Sequence, residues 1–484
     1  MSLRSPSEYR ESLRDGRKVF YRGERVEDVT NHPVIRIAVD HAAIDYEMAE
    51  ESGARDLATV SLPNGQRISR YYHIPKSTQD LQDRSALIEA ATARGGTLVV
   101  LVKEIGTDAL FALHIVAYEM DRLLGTEYRK RVERFYSQCR DQDLALAVAQ
   151  TDVKGDRSLS PSQQDHPDYY VHKVRETSEG IVVRGAKVHT SVSVNANEII
   201  VLPTRAMQEE DRDYAVAFAL PVATPGLTLI ASPYGDGPKN VFEHPISARH
   251  KMVETLTVFD DVFVPWERVF LNGEWRYAGV LAKTFVEFHR FTAVSYKLPL
   301  VDLLVGCGQL LSEMNGIDRA GHVREKMTAL VAYAETLRAL TRMAAHECRV
   351  LDPGIAVPSV LLVNLAKWHF ASNYHRAVSL VQDLSGGLLV TGPGQEDVGA
   401  PEVGEYIRKF LGGRKGVSAE TRLKAMNLVR DLTASDYGGY QEVLAVHAEG
   451  SIEAEKLTVY READVKRSRA FAMQLAGINE EIKS

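Results

Sequence analysis

The chain has 484 residues, 45% hydrophobic and 25% charged, with a formal net charge of −7. This is globular composition, long enough for two or three structural regions, and its acidic balance leaves no nucleic-acid footprint. The charged start lacks the apolar segment of a secretory signal, and no apolar run reaches the roughly 18 residues that cross a bilayer. Cys139, Cys307 and Cys348 are scattered without CxxC spacing, which argues against a disulfide scaffold or structural zinc. The expectation is a cytoplasmic protein with neither a membrane nor a nucleic acid as partner.

From about residue 80 to 147 apolar residues recur at three- and four-residue spacing, which predicts helices broken at Gly95-Gly96 and Gly106. The pattern then changes. "DYYVHKVRETSEGIVVRGAKVHTSVSVNANEIIVLP", "YAVAFALPV", "LTLIASP" and "ETLTVFDDVFVP" are β-branched runs with hairpin punctuation, a β region reaching about residue 265. Beyond it the chain returns to helix. In "MTALVAYAETLRALTRMAAHECRVL" one face carries Met327, Leu330, Val331, Ala334, Leu337, Leu340 and Ala344, and Asp352-Pro353-Gly354 stops the helix. The order is helices, an inserted β module, then a helical bundle. Residues 1–147, 148–275 and 276–484 are the expected domains of an α+β fold.

No GxSxG, HExxH, P-loop or GxGxxG opening a βαβ unit is present. "DLSGGLLVTGPG" follows a helix and reads as its C-cap and turn. The histidines form no ligand cluster. What remains is a set of polar loops where helices meet strands: "TDVKGDRS" (151–158), "HTS" (189–191) and "ASDYGG" (434–439). Such loops suit a large anionic cofactor, which needs backbone NH groups, a cation and small residues for close approach.

Four longer stretches, "TDVKGDRSLSPSQQ", "EGIVVRGAKVHTSVSVNANE", "TLTVFDDVFVPWERVFLNGEW" and "LVQDLSGGLLVTGP", resemble one family along nearly the whole chain, as does the opening "SPSEYRESLRDGRKVFYRGERVEDVTNHP". That family joins the oxygenase components of 4-hydroxyphenylacetate 3-monooxygenase to the 4-hydroxybutyryl-CoA dehydratases. The resemblance implies an acyl-CoA dehydrogenase-like fold: an N-terminal helical domain, a middle β-barrel-like domain and a C-terminal four-helix bundle, assembled as a homotetramer or homodimer. It also implies FAD, with Thr151, Lys154, Gly155, Asp156, Arg157, Ser158, Thr190, Ser191, Ser435, Asp436, Tyr437 and Gly438 as cofactor contacts.

The sequence departs from both branches of that family. Where the hydroxylases carry an Arg and a Tyr about a turn apart, "AATARGGT" offers Arg94 alone, and Val148 stands at their His position. The dehydratases hold a [4Fe–4S] cluster. Their His is matched by His289, but the Cys seven residues on is Tyr296, and no cysteine precedes Cys139. Without those thiolates no such cluster is expected, nor any other metal. Lys297 and Glu254 match a lysine and an acidic position of the dehydratases. His289 is either a packed helix histidine or an acid–base group, and Glu254 either a strand residue or a catalytic one.

Two activities follow, beside a third reading, a flavin-binding protein whose catalysis has been lost. The first is an FADH2-dependent monooxygenase, fed by a separate flavin reductase, that transfers one oxygen atom to a small molecule. The absence of a nicotinamide fingerprint fits a two-component system. The second is a redox-neutral flavoprotein, an isomerase or dehydratase-like enzyme acting on a CoA thioester without a cluster, with His289 as base or acid.

Overall fold

The computed structural model describes residues 3–478 apart from 236 and 238. Its N-terminal part runs α1 (Pro6–Glu11), β1 (Val19–Tyr21), β2 (Glu24–Val26), α2 (Ile35–Ala42), α3 (Ile44–Glu50), α4 (Arg55–Ala58), β3 (Thr59–Ser61), β4 (Arg67–Ser69), α5 (Thr78–Arg94), α6 (Glu104–Leu124) and α7 (Tyr128–Asp141). Local chemistry sets the helix starts. Ser5 and Glu8 close a capping box on α1, and Ser77 caps α5 through Asp80 N.

Between α5 and α6 the run 98–102 is buried but neither helical nor extended in a sheet, contrary to the helix its apolar content predicts. Thr97 (φ 72°) and Leu101 (φ 61°) lie in the left-handed region, which no helix continues through. Gly106, read as a break, instead sits inside α6. A Cβ there would overlap the Leu146 side chain, so the glycine lets the helix touch the next strand.

The middle part holds β5 (Leu146–Ala149), β6 (His172–Glu176), β7 (Gly180–Ser191), β8 (Glu198–Val201), β9 (Val216–Pro221), β10 (Leu227–Ala231), β11 (Glu254–Pro265) and β12 (Val269–Asn272). They form two sheets, ordered β2-β1-β10-β11-β7-β6 and β12-β9-β8-β5. The sheets meet at Phe218 and Phe259, whose rings pack edge to face at 5.9 Å. Two features differ from the sequence reading. Strand β5 straddles the 147/148 division, and the N-terminal hairpin β1–β2 completes the larger sheet through parallel pairing of β1 with β10.

The C-terminal part contains α8 (Trp275–Tyr296), α9 (Leu298–Met314), α10 (Gly321–His346), the hairpin β13 (Arg349–Leu351) and β14 (Ile355–Val357), α11 (Val360–Ser385), α12 (Leu388–Thr391), α13 (Gln395–Gly399), α14 (Gly404–Phe410), α15 (Ala419–Thr433), α16 (Asp436–His447), α17 (Ile452–Glu462) and α18 (Val465–Leu475). Leu330, Ala334, Leu337 and Ala344 of α10 are buried as expected, but Val331 is 44% exposed and Tyr333 takes the inward position. Helix α10 ends at His346, earlier than Asp352-Pro353-Gly354, which instead turns the β13–β14 hairpin. By length and composition Trp275–Met314 could cross a membrane, yet it is two core helices with 67% of its apolar window buried.

Candidate active site

Two of the polar loops are tied together through the middle sheets. Val188 N donates to Thr151 O, and Lys187 bridges to Asp152, so "TDVKGDRS" is tied to the strand that ends in "HTS". Lys187 Nζ donates to Asp152 Oδ1 (2.5 Å), Gln150 O (2.8 Å) and Leu202 O (3.0 Å), and both side chains are buried. A buried ammonium with three oxygen partners is a fixed strut.

Beyond Asp152 the loop is shaped by its own side chains. Lys154 (φ 79°) and Gly155 (φ 53°) are both left-handed, turning the chain so that Tyr170 Oη donates to Lys154 O at 2.9 Å. A side chain at Gly155 would strike Gln164, whose amide closes the loop on Asp156 N and O (2.9 and 2.8 Å). Asp156 also accepts from Ser158 N and Oγ (2.9 and 2.7 Å), an Asx turn. Arg157 is exposed at the tip. Burial lowers the Lys154 ammonium from its ordinary value, with Asp152 opposing.

The end of β7 and helix α16 meet at one carboxylate. Ser191 pairs with Glu254 across β7 and β11, and its Oγ donates to Glu254 Oε2 at 2.9 Å. Tyr440 Oη of α16 donates to Glu254 Oε1 at 2.9 Å, and Tyr234 stacks on the Tyr440 ring at 4.4 Å. Burial pushes Glu254 up to about 7, against the two hydroxyl donors. Beside it Thr190, 1% exposed, has an Oγ1 with no hydrogen-bond partner among the described residues. Ser435 caps α16, its Oγ accepting from Tyr437 N and Gly438 N (3.1 and 3.4 Å). Tyr437 is buried, Gly438 lies against the Thr433 backbone, and Asp436 is 3.7 Å from Lys239. Two of the cofactor contacts implied by resemblance, Ser435 and Gly438, already serve the helix itself.

His289 and Lys297 lie on the bundle side. Asp108 sits with one oxygen 3.5 Å from His289 Nδ1, while its other oxygen accepts from Arg84 (2.7 Å) and Thr292 (3.0 Å). Lys297 caps α8 and pairs with Glu449 at 2.9 Å, its ammonium over the Tyr296 ring at 4.3 Å. Lys367 stands 3.7 Å from both Glu449 and Glu455. Burial drives Lys297 well below and Glu449 well above their ordinary values.

The sequence reading missed Tyr440, Asp108, Glu449 and the Asp152–Lys187 strut, because their partners lie far away in the chain. Position 296 fills the bundle core with a phenol ring, and Cys139, Cys307 and Cys348 lie on or near α7, α9 and α10. Among the described residues no group of three His, Cys, Asp or Glu is arranged to hold a metal.

Residues 5–271 match the family model of the 4-hydroxyphenylacetate 3-hydroxylase N-terminal region, and 278–477 that of its C-terminal region. The 4-hydroxybutyryl-CoA dehydratase/vinylacetyl-CoA-Δ-isomerase of Clostridium aminobutyricum is 32% identical, over 98% of this chain and all of that one. The 4-hydroxyphenylacetate 3-monooxygenase oxygenase component of Thermus thermophilus is 31% identical, over 99% and 100%. Among solved structures, the oxygenase component of 4-hydroxyphenylacetate 3-monooxygenase complexed with FAD superposes with a TM-score of 0.91. It is 30% identical and covers 99% of this chain and 100% of that one. Butyryl-CoA dehydrogenase of Megasphaera elsdenii, at 13% identity, covers 95% of this chain and 98% of its own with a TM-score of 0.50, which places the fold as acyl-CoA dehydrogenase-like. Matched through both halves, the chain belongs to the 4-hydroxyphenylacetate 3-hydroxylase family.

Proposed function

We propose that this protein is an FADH2-dependent monooxygenase, the oxygenase half of a two-component system served by a separate flavin reductase. It would hydroxylate an aromatic or related small molecule. The observation that carries this choice between the family's branches is Tyr296, a buried phenol where the dehydratases need a thiolate. Six of the curated relatives are named as monooxygenases or their oxygenase components, among them the Thermus enzyme and an FADH2-dependent monooxygenase of Burkholderia cepacia.

The residues fit FAD. The orphaned Thr190 hydroxyl needs a partner. Lys154 and Arg157 offer cationic donors at the loop, joined by Thr151, Gly155, Asp156 and Ser158, and Ser191 with Ser435–Gly438 lines the α16 side. Reduced FAD, when bound, supplies the electrons for activating dioxygen. Around it the chain excludes water and handles protons. The fully buried strand β5, with Val148, is an apolar wall. Glu254, near neutrality at physiological pH, can hold or release a proton at the oxygens that face Ser191 and Tyr440.

Glu254 also favours a second reading, a redox-neutral isomerase or dehydratase-like flavoprotein acting on a CoA thioester. A buried carboxylate at about 7 is a competent base, and the Clostridium relative is named for such chemistry. His289 would then be the partner acid. One screen separates the two: reduced FAD and oxygen with candidate phenols, against anaerobic incubation with unsaturated CoA thioesters. Hydroxylated product only in the first supports the monooxygenase. Double-bond migration in the second, with no oxygen-dependent product, replaces it.

The exposed apolar side chains of α17 and α18, Leu457, Tyr460, Phe471 and Leu475, support assembly into a homotetramer or homodimer. A cytoplasmic setting accords with three free cysteines.

A further inference from the structure

Four carboxyls and two cations meet in the core of the N-terminal part. Asp45 lies on α3 and Arg84 on α5, Lys103 caps α6, Glu104 and Asp108 sit in its first turns, and Asp143 follows α7. None of the six is more than 4% exposed. Each cation has its own partner: Lys103 Nζ is 2.7 Å from Asp143 Oδ1, and Arg84 donates to Asp108 Oδ1 at 2.7 Å. Asp45 and Glu104 are left without a cation of their own. With all six ionised, two negative charges would stand uncompensated in a dry core, a state that buried acids leave by taking up a proton.

One hydroxyl stands between those two acids. Tyr71 Oη, in the turn after β4, is 3.1 Å from Glu104 Oε1 and also hydrogen-bonds to Asp45. Besides it, no hydrogen-bond donor among the described residues meets either Asp45 oxygen. A phenol has one proton and donates it once. Given to Asp45, it leaves Glu104 Oε1 facing a lone pair, and that contact holds only if Glu104 brings a proton of its own. Given to Glu104, it makes the same demand of Asp45. Either way one acid is neutral. Leu101 N donates to Glu104 Oε2, which leaves Oε1 as the oxygen that can carry the proton.

The surroundings agree. Burial pushes Asp45 up to about 7, with Lys103 opposing, and drives Glu104 well above its ordinary value, with Asp45 adding to the rise. The other titratable groups facing the cluster are the buried phenols of Tyr46 on α3 and Tyr9 on α1, and His289 of α8, 3.5 Å from the far oxygen of Asp108. Arg4 reaches Asp143 only through its backbone N–H, at 3.3 Å.

We propose that Asp45, Tyr71 and Glu104 hold one shared proton at neutral pH, and that this proton fastens the run 98–102 to the N-terminal helices. Glu104 is the side chain that pins Leu101, the residue held at φ 61°. When base takes the proton away to solvent, two carboxylates face one hydroxyl, and their repulsion falls on that pin. Because both acids lie above their unfolded values, the folded chain keeps a proton that the unfolded chain has lost. Stability therefore falls as pH rises toward and past about 7. The inference stands apart from the flavin chemistry and is the same for either reading of it.

The experiment uses the full-length protein and observes the proton directly. Infrared spectra at pH 8 in H2O and D2O should show the C=O stretch of a protonated carboxylic acid, shifted by deuteration. Glu104→Gln and Asp45→Asn each leave a single acid with the Tyr71 hydroxyl to itself, so both should lose the band. Glu254→Gln removes a different buried acid and should keep it. A wild-type spectrum without the band refutes the proposal. Loss in one carboxamide variant but not the other shows an acid neutral by burial alone, and the sharing fails. Amide exchange at Leu101 tests the fastening: in wild type it should quicken, beyond base catalysis alone, over the pH range in which the band disappears, and in Glu104→Gln it should not. Equal profiles in the two proteins overturn the fastening. Should a carboxamide variant fail to fold, Tyr71→Phe still decides. It keeps both acids and deletes their bridge, so the band must move in frequency, and an unmoved band refutes the sharing.

Discussion

Glu254 and Ser191 face each other across two antiparallel strands, the serine hydroxyl 2.9 Å from a carboxylate that burial has brought to about 7. A folded-state value above the unfolded carboxylate's means that the native protein binds the extra proton. Stability therefore falls as pH rises from the unfolded value near 4.5 to about 7, then levels off. Each unit between the two values corresponds to ~1.4 kcal/mol. Glu254→Gln should flatten this slope and leave the variant more stable than wild type at pH 8. Chemical denaturation at pH 5, 6.5 and 8 checks it, and parallel wild-type and variant profiles would remove Glu254 as the source.

Arg157 stands exposed at the tip of the loop, where an anionic cofactor would gain a charge-assisted contact. Arg157→Ala should weaken FAD binding by about 1.5–3 kcal/mol, roughly ten-fold or more. Fluorescence titration with oxidised FAD measures this. Equal affinity in the variant would displace the loop from the cofactor site.

Lys187 and Asp152 are buried partners. Lys187→Met strands the carboxylate, which should cost about 3–5 kcal/mol. The double variant Lys187→Met/Asp152→Leu should recover a large part, because no charge is left unpaired. Urea midpoints of the three proteins test this. A double variant as unstable as the single one would show that the lysine acts through its bonds to Gln150 O and Leu202 O instead.

Gly106→Ala forces a Cβ into Leu146. Overpacking of this kind costs about 1–3 kcal/mol. Because Leu146 opens β5, which runs into the 151–158 loop, FAD affinity should fall together with Tm. A variant with wild-type Tm would show that α6 and β5 can separate without penalty.

The fold was largely legible in the sequence, and the reasons are local. β11 alternates inward Thr255, Thr257 and Phe259 with outward neighbours, and its period survives until the bulge at Asp261 (φ 51°). Helix α10 was found by its stripe, and Val331 was misplaced because a stripe drawn at three- and four-residue steps drifts from the true face. Run 98–102 was misread because its apolar content reports burial, whereas its backbone is set by Thr97 and Leu101 at positive φ. The candidate site was legible where residues sit in motifs, as at Lys154–Ser158. Tyr440 and Asp108 were not, since what defines them is a contact 186 residues away with Glu254 and another far along the chain with His289. The Asp352–Gly354 turn shows the same limit in miniature: the breaker was recognised, but not the hairpin it serves.

The parallel pairing of β1 with β10 has a consequence for synthesis. Val19 leaves the ribosome long before Leu229, its partner in the sheet. Until β10 arrives the hairpin β1–β2 has no sheet to join, and a two-stranded hairpin alone is marginal in water. Conversely, a chain lacking its first 26 residues would finish β10 with one side bare. That edge, with Ile230 already 45% exposed, would offer unpaired backbone groups to any other strand at hand. The chain's opening segment thus acts as a built-in guard against aggregation, and N-terminal truncations should be judged first by solubility.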